Sequence, residues 1–282
     1  IILKNDIVTP EHIEILKALN IYGSRANIYQ FISILILNFF LFLLLERFIY
    51  FFHYNPYYKS KKYFILIYIV SLIVLGFAKS IQEISILPNI FNFNFLIPIP
   101  LAAMLITLLI GPNISFISGI LLSILITILN KSDFQLFIYL FLANSATLFT
   151  IYKKYTRTSL IASGYIVGIL NVILVVTFGL FNEMQGFLWF AANITLAFVN
   201  GVVSSMLALA ILPYFEGLFK ITTKQQLLEL SNLNHPLLKK LMLTAPGTYQ
   251  HSLMVANFAE TAAENIDANP LLARIGAYFH DV

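Results

Sequence analysis

Three side chains near the end of the sequence have the chemistry of a metal centre. His251 is followed, one helical hairpin later, by the adjacent pair His280-Asp281. An imidazole nitrogen with a carboxylate oxygen suits a hard or borderline divalent cation. Ions held in this way activate water and stabilise phosphate oxygens during in-line attack. Adjacent residues on a helix point about 100° apart. A His-Asp pair can therefore serve one centre only at a helix end, with the Asp reaching across, a geometry that suits a carboxylate bridging two ions. A His-Asp dipeptide also occurs as ordinary solvated surface, and the residues alone leave both readings open.

The elements that must position these side chains follow from turn and cap signals. Ala245-Pro246-Gly247 reads as a turn, Thr248 as an N-cap, and the next helix as residues 249–265. Asn269-Pro270 opens a further helix that ends at His280-Asp281. Antiparallel packing of the two sets the start of one beside the end of the other, so the three side chains can converge. Upstream, Pro236 opens a short helix with Leu237, Leu238 and Leu241 on its inner face. His235, just before that proline, is expected to be a structural cap rather than a ligand.

The composition of the chain places most of it in a membrane. Of its 282 residues 59% are hydrophobic and 11% charged, against about 25% charged in a soluble domain. Mean hydropathy is +0.85. With no cysteine, disulfides and thiolate metal sites are excluded. The net charge of +4 gives no sign of a nucleic-acid polymer as partner. Apolar segments fall at 28–45, 63–78, 95–110, 114–129, 134–152, 160–181 and 187–212, and each is near the length of a spanning helix. Gly111-Pro112-Asn113 predicts a tight hairpin between the third and fourth, and Pro213 is expected to break the last.

Lysine and arginine placement orients the spans. Arg47, Lys59, Lys61 and Lys62 lie in the first loop and Lys153, Lys154 and Arg157 in the loop after the fifth span, whereas loops of opposite parity carry only Lys79 and Lys131. Basic loops face the cytoplasm. The N-terminal tail is thus expected outside, and everything after Leu212 inside. Asn38, Asn144, Asn171, Asn193 and Asn200 are polar residues within the spans, read as interhelical hydrogen-bonding groups. No span carries a charge at its centre, which argues against a transporter. Gly164-xxx-Gly168 and Gly201-xxx-Ser205 read as packing faces inside the bundle. Thr9-Pro10 signals a capped helix start in a soluble tail. The sequence opens on Ile1 with no signal-peptide pattern, and both ends are expected to continue in a longer protein.

Three stretches carry a resemblance. They are Leu3 to Thr9 with Ile15 to Leu19, the seven-span block, and the run from Pro213-Tyr214-Phe215-Glu216 through His235-Pro236-Leu237-Leu238 to Ala245-Pro246-Gly247-Thr248-Tyr249-Gln250-His251-Ser252. Together they resemble the PgpH-type seven-transmembrane HD family of cyclic-di-AMP phosphodiesterases. The resemblance implies an all-α chain, a seven-transmembrane helix bundle followed by the start of a helical cytoplasmic HD domain. Residues 1–26 would end an extracellular HDED-type domain, 27–212 form the seven-transmembrane domain, and 213–282 hold the linker and the N-terminal part of the HD domain.

It further implies that His251, His280 and Asp281 are metal ligands, with Asp281 bridging two divalent ions, Mn²⁺ or Fe²⁺. His12, His53 and His235 match no ligand position. The implied reaction is hydrolysis of cyclic di-AMP to pApA at a bacterial cell membrane, under an unidentified extracellular signal, with a homo-oligomer left open. Further ligands would lie beyond Val282, so residues 1–282 are expected to hold only part of the dinuclear site. Two other readings stand beside this one: a non-catalytic receptor with an HD-like interaction domain, and an HD phosphohydrolase acting on another nucleotide such as cyclic di-GMP.

Overall fold

The computed structural model describes Thr9, His12 and residues 28–52, 61–84, 90–130, 133–152, 156–181 and 186–282. Of the residues used above for orientation, Lys59, Lys131, Lys153 and Lys154 lie outside this set, as does His53. The chain forms two compact units, Ile1–Arg47 and Phe48–Val282. In the first, the His12 backbone N–H donates to Thr9 Oγ1 at 3.4 Å, the bond expected of Thr9 as a helix cap. Helix α1, Ile28–Phe52, is an apolar run of 25 residues.

The second unit takes in the last residues of α1 from Phe48 and continues with α2 (Lys61–Ile84), a 3₁₀ turn (Phe93–Leu96), α3 (Ile99–Leu109), α4 (Pro112–Leu129), α5 (Phe134–Ile151), α6 (Arg157–Phe181) and α7 (Phe187–Phe219). It ends with four shorter helices, α8 (Lys224–Leu230), α9 (Pro236–Thr244), α10 (Pro246–Asn265) and α11 (Pro270–Phe279). No strand occurs among the described residues. Helices α2, α4, α5, α6 and α7 are long and apolar enough to cross a membrane.

The third apolar segment is not one continuous helix, as its hydropathy suggested. Its first part is the 3₁₀ turn, and α3 begins only after Pro98, with Pro100 near its start. A proline restricts the residue before it away from helical angles, which accounts for the break. The 11 residues of α3 rise about 16 Å, well short of the roughly 30 Å hydrocarbon core. Every one of them is buried, with α2, α4, α5 and α7 packed around the helix.

An irregular backbone at membrane depth must have its polar groups satisfied by protein. Asn200 Nδ2 donates to the Phe95 and Ile97 carbonyls at 2.8 and 3.1 Å, and Tyr139 Oη donates to Phe95 O at 3.0 Å. Asn193 Nδ2 donates to Ile90 O at 2.9 Å while its Oδ1 accepts from the Asn92 N–H at 2.8 Å. These two asparagines hold backbone rather than another helix's side chain. Asn144 and Asn171 are buried with no hydrogen-bond partner among the described residues.

The expected hairpin is present: α3 ends at Leu109 and Pro112 opens α4, with Gly111 between them at φ 150°, a value that favours glycine. Helices α6 and α7 pack closest through their small residues. A Cβ on Gly201 would stand 2.3 Å from Gly168 N, and one on Gly164 would stand 2.1 Å from Ser205 Oγ. The two small-residue pairs therefore face each other inside the bundle.

Pro213 does not end the last span. It lies inside α7, which continues to Phe219. A proline removes one backbone donor from a helix, and here the chain carries past it with Leu212 buried just before. The 33 residues of α7 rise about 50 Å, so the helix outruns the bilayer core and enters the region that follows. It ends where Lys220 turns left-handed at φ 49° and the Ile221 N–H returns to Glu216 O at 3.1 Å.

Candidate metal centre

Helices α9, α10 and α11 gather around a small core of Leu238, Ala256, Ala277 and Tyr278. Pro246 takes the first position of α10, so this helix starts before the expected Thr248 and Ala245 precedes it. Proline is pre-organised for that position, which moves the boundary. Asn269 caps α11 as expected, its Oδ1 accepting from the Leu272 N–H at 3.1 Å. On α9 only Leu238 is buried, whereas Leu237 is 46% exposed; the short helix presents a narrower apolar stripe than three leucines imply.

Helices α10 and α11 pack along each other, which sets the start of α10 beside the end of α11. Arg274 fixes the pairing: its Nε donates to Tyr278 Oη at 2.8 Å and its Nη1 to Glu260 Oε1 of α10 at 3.2 Å. His251, in the second turn of α10, and His280-Asp281, just past the end of α11, are thereby brought together. Their ligand atoms all lie within 4.8 Å of one another, and the three residues are exposed. The two imidazole rings stand 5.7 Å apart.

The donor set fits a divalent cation. His280 Nδ1 lies 2.8 Å from the Ala277 carbonyl oxygen. A carbonyl only accepts, so Nδ1 carries a hydrogen in this contact, and Nε2 is the ring atom that faces Asp281 Oδ2, at 3.1 Å. A nitrogen lone pair and a carboxylate oxygen at that spacing repel unless a cation or proton lies between them. Two ligand bonds of about 2.0–2.2 Å at right angles place their atoms roughly 3 Å apart, which matches. The outer bond to Ala277 O is the kind that fixes ring and tautomer in metal-binding histidines.

His235 stands outside the cluster and is structural, as expected. Its Nδ1 accepts from the Leu237 N–H at 3.3 Å, and its ring meets Phe279 edge-on at 5.2 Å. Sequence reasoning missed Arg274, Glu260 and Tyr278. The signal was there in part, as the i, i+4 spacing of Arg274 and Tyr278, but the reach to Glu260 needed the packing of α10 on α11.

The model of the family "7TM receptor with intracellular HD hydrolase" matches residues 28–223, and the HD domain model matches residues 248–282. Among curated proteins, the cyclic-di-AMP phosphodiesterase PgpH of Listeria monocytogenes is 35% identical over 79% of this chain and 32% of its own length. PgpH of Bacillus subtilis is 35% identical over 68% of this chain and 28% of its own. An uncharacterized protein of Synechocystis is 46% identical over 29% of this chain and 10% of its own. The chain thus spans about a third of the length of the PgpH relatives it matches. No solved structure matches it.

Proposed function

Since the chain belongs to the family of 7TM receptors with an intracellular HD hydrolase, we propose that it is the membrane and first catalytic part of a phosphodiesterase that hydrolyses cyclic di-AMP to pApA. The observation that carries this reading is the convergence of His251, His280 and Asp281 within 4.8 Å, at the place where the HD model matches. The two PgpH relatives, named for that substrate, support its choice.

In this reading an HD domain implies divalent metal. His251 and His280 would offer imidazole nitrogens and Asp281 a carboxylate oxygen to a centre of two divalent ions, Mn²⁺ or Fe²⁺. Bound ions of this kind supply a water of lowered pKa and a counter-charge for the phosphate oxygens. The chain's own part is orientation. The Ala277 carbonyl holds the His280 ring by its Nδ1–H, and the Arg274 bridge keeps α10 and α11 in register. Hydrolysis adds one water across one phosphodiester bond of the cyclic dinucleotide; that phosphate keeps its 5′ ester, the ribose 3′-hydroxyl leaves, and linear pApA results.

We assign residues 1–26 to the end of an extracellular domain, 27–212 to the membrane domain and 213–282 to the linker and the first part of the HD domain, with the N-terminal side outside and the HD side in the cytoplasm of a bacterial cell.

The test uses the protein at the full length of its relatives, in detergent or nanodiscs, with Mn²⁺ and cyclic di-AMP. We expect pApA from the parent, and His280→Ala to lose at least about 10-fold to 100-fold in metal affinity or activity, the range seen when metal-supporting contacts are removed. A metal-loaded parent that leaves cyclic di-AMP intact would defeat the reading.

A further inference from the structure

The sequence gives no sign of how the membrane helices act on the metal ligands. The structure places a bridge there. Arg157, the first residue of α6, pairs with Glu229 of α8 through two parallel bonds, Nε to Oε1 at 2.8 Å and Nη2 to Oε2 at 3.0 Å. This fork-on-fork arrangement fixes direction as well as distance. Helix α8 in turn packs against α11, the helix that ends in His280 and Asp281.

The joint around the pair is built to transmit direction. Thr223 Oγ1 accepts from the Gln226 N–H at 3.1 Å and so caps α8, while its hydroxyl donates to Glu216 of α7. Lys62 Nζ, at the start of α2, donates to the carbonyl of Lys220 at 3.2 Å, at the left-handed end of α7. Helix α2 therefore holds the end of α7, and α6 holds the last turn of α8. A cavity of about 350 Å³ lies beside the pair, lined by Arg157, Leu212, Glu216, Gln225 and Glu229 among others. The pair is thus held by its two bonds and by Gln225 Nε2, which donates to Glu229 Oε1 at 3.4 Å, and has open room on one flank. Both side chains are about half exposed, at 65% and 47%, and ion pairs this exposed contribute little to stability, about 0–1 kcal/mol. The bridge has the form of a guide rather than a weld.

We infer that Arg157 and Glu229 are positioning residues: through α8 their ion pair sets the placement of the α11 end that carries His280 and Asp281, and so ties the metal centre to the sixth membrane helix. This rests on the reading of those two residues as metal ligands of a phosphodiesterase.

The experiment compares the full-length protein with Arg157→Glu, Glu229→Arg and the double charge exchange. Three readouts are taken: bound Mn²⁺ per protein, kcat and KM for cyclic di-AMP, and the distance distribution between spin labels at Thr158→Cys and Gly276→Cys, the latter an exposed position on α11 with nothing within 4 Å of an added Cβ. The expected result is that each single reversal broadens the distance distribution and lowers kcat about fivefold or more, with KM and bound Mn²⁺ as in the parent. The double exchange restores both, as directly coupled partners do. Single reversals with the parent's distance distribution, a broadened distribution with unchanged kcat, or a double variant no better than the singles would each overturn the inference. A parent that never turns over defeats the phosphodiesterase reading instead, and the label distances then still decide whether the pair guides α8.

Discussion

Each histidine described after the last span has a distinct job that its surroundings fix. His280 is bonded through Nδ1 to a backbone carbonyl and turns Nε2 toward Asp281. His251 offers its ring to the same space from the other helix. His235 spends its Nδ1 on the α9 N-terminus. Replacing His235 with alanine should therefore cost about 1 kcal/mol in stability of the region after α7, the usual effect of losing a helix cap, and leave bound Mn²⁺ unchanged. His235→Asn should recover most of that loss, since asparagine caps well. Denaturant melts with metal analysis separate these outcomes; loss of metal in His235→Ala would move this residue into the site.

At the scale of elements, the α6–α7 crossing is a close one, where Gly164, Gly168, Gly201 and Ser205 let the two backbones approach. A methyl group on Gly201 meets the Gly168 backbone at 2.3 Å, and backbone cannot yield as a flexible side chain does. Gly201→Ala should destabilise the bundle by about 1–3 kcal/mol, the usual cost of overpacking. Gly217, also on α7, has nothing within 4 Å of an added Cβ. Gly217→Ala should be neutral or slightly stabilising, because alanine favours the helix. Thermal unfolding in detergent compares the two directly. Equal effects would mean that the α6–α7 contact does not limit stability.

For the whole molecule, the bonds across the bundle sort its ends. The starts of α2 and α6 and the end of α7 meet at one end, through Lys62 with Lys220 and Arg157 with Glu229. The segment before α3 and the start of α7 meet at the other, through Asn92 with Asn193. This is the alternation that successive crossings require, and the basic residues Lys62 and Arg157 sit at the end from which α8 to α11 continue. Cysteines introduced singly at Thr158 and at Phe91, in a sequence with none of its own, should react with an impermeant reagent from opposite faces of the membrane. The Thr158 site should react only in inverted vesicles. Labelling of both from one face would overturn the assigned orientation.

Much of this was already legible in the residues. Composition and the length of the apolar runs determined a multi-pass helical chain, because a bilayer admits few other ways to satisfy a backbone. Cap and proline signals at His235-Pro236, Asn269-Pro270 and the Gly111 turn placed helix boundaries, because these residues act on their immediate neighbours. Pro213 and Thr248 misled for the same reason: their local preferences were outweighed by what the next residues could do. What the tertiary structure alone decided are the relations between distant positions. The buried 3₁₀ turn held by Asn193, Asn200 and Tyr139, the Arg274–Glu260 brace and the Arg157–Glu229 bridge each join residues that only packing brings together. The candidate metal centre lies between these cases. The sequence supplied its three ligand types and the hairpin that could converge them, while the 3.1 Å spacing of His280 and Asp281 and the carbonyl that orients the ring depend on how α11 ends against α10.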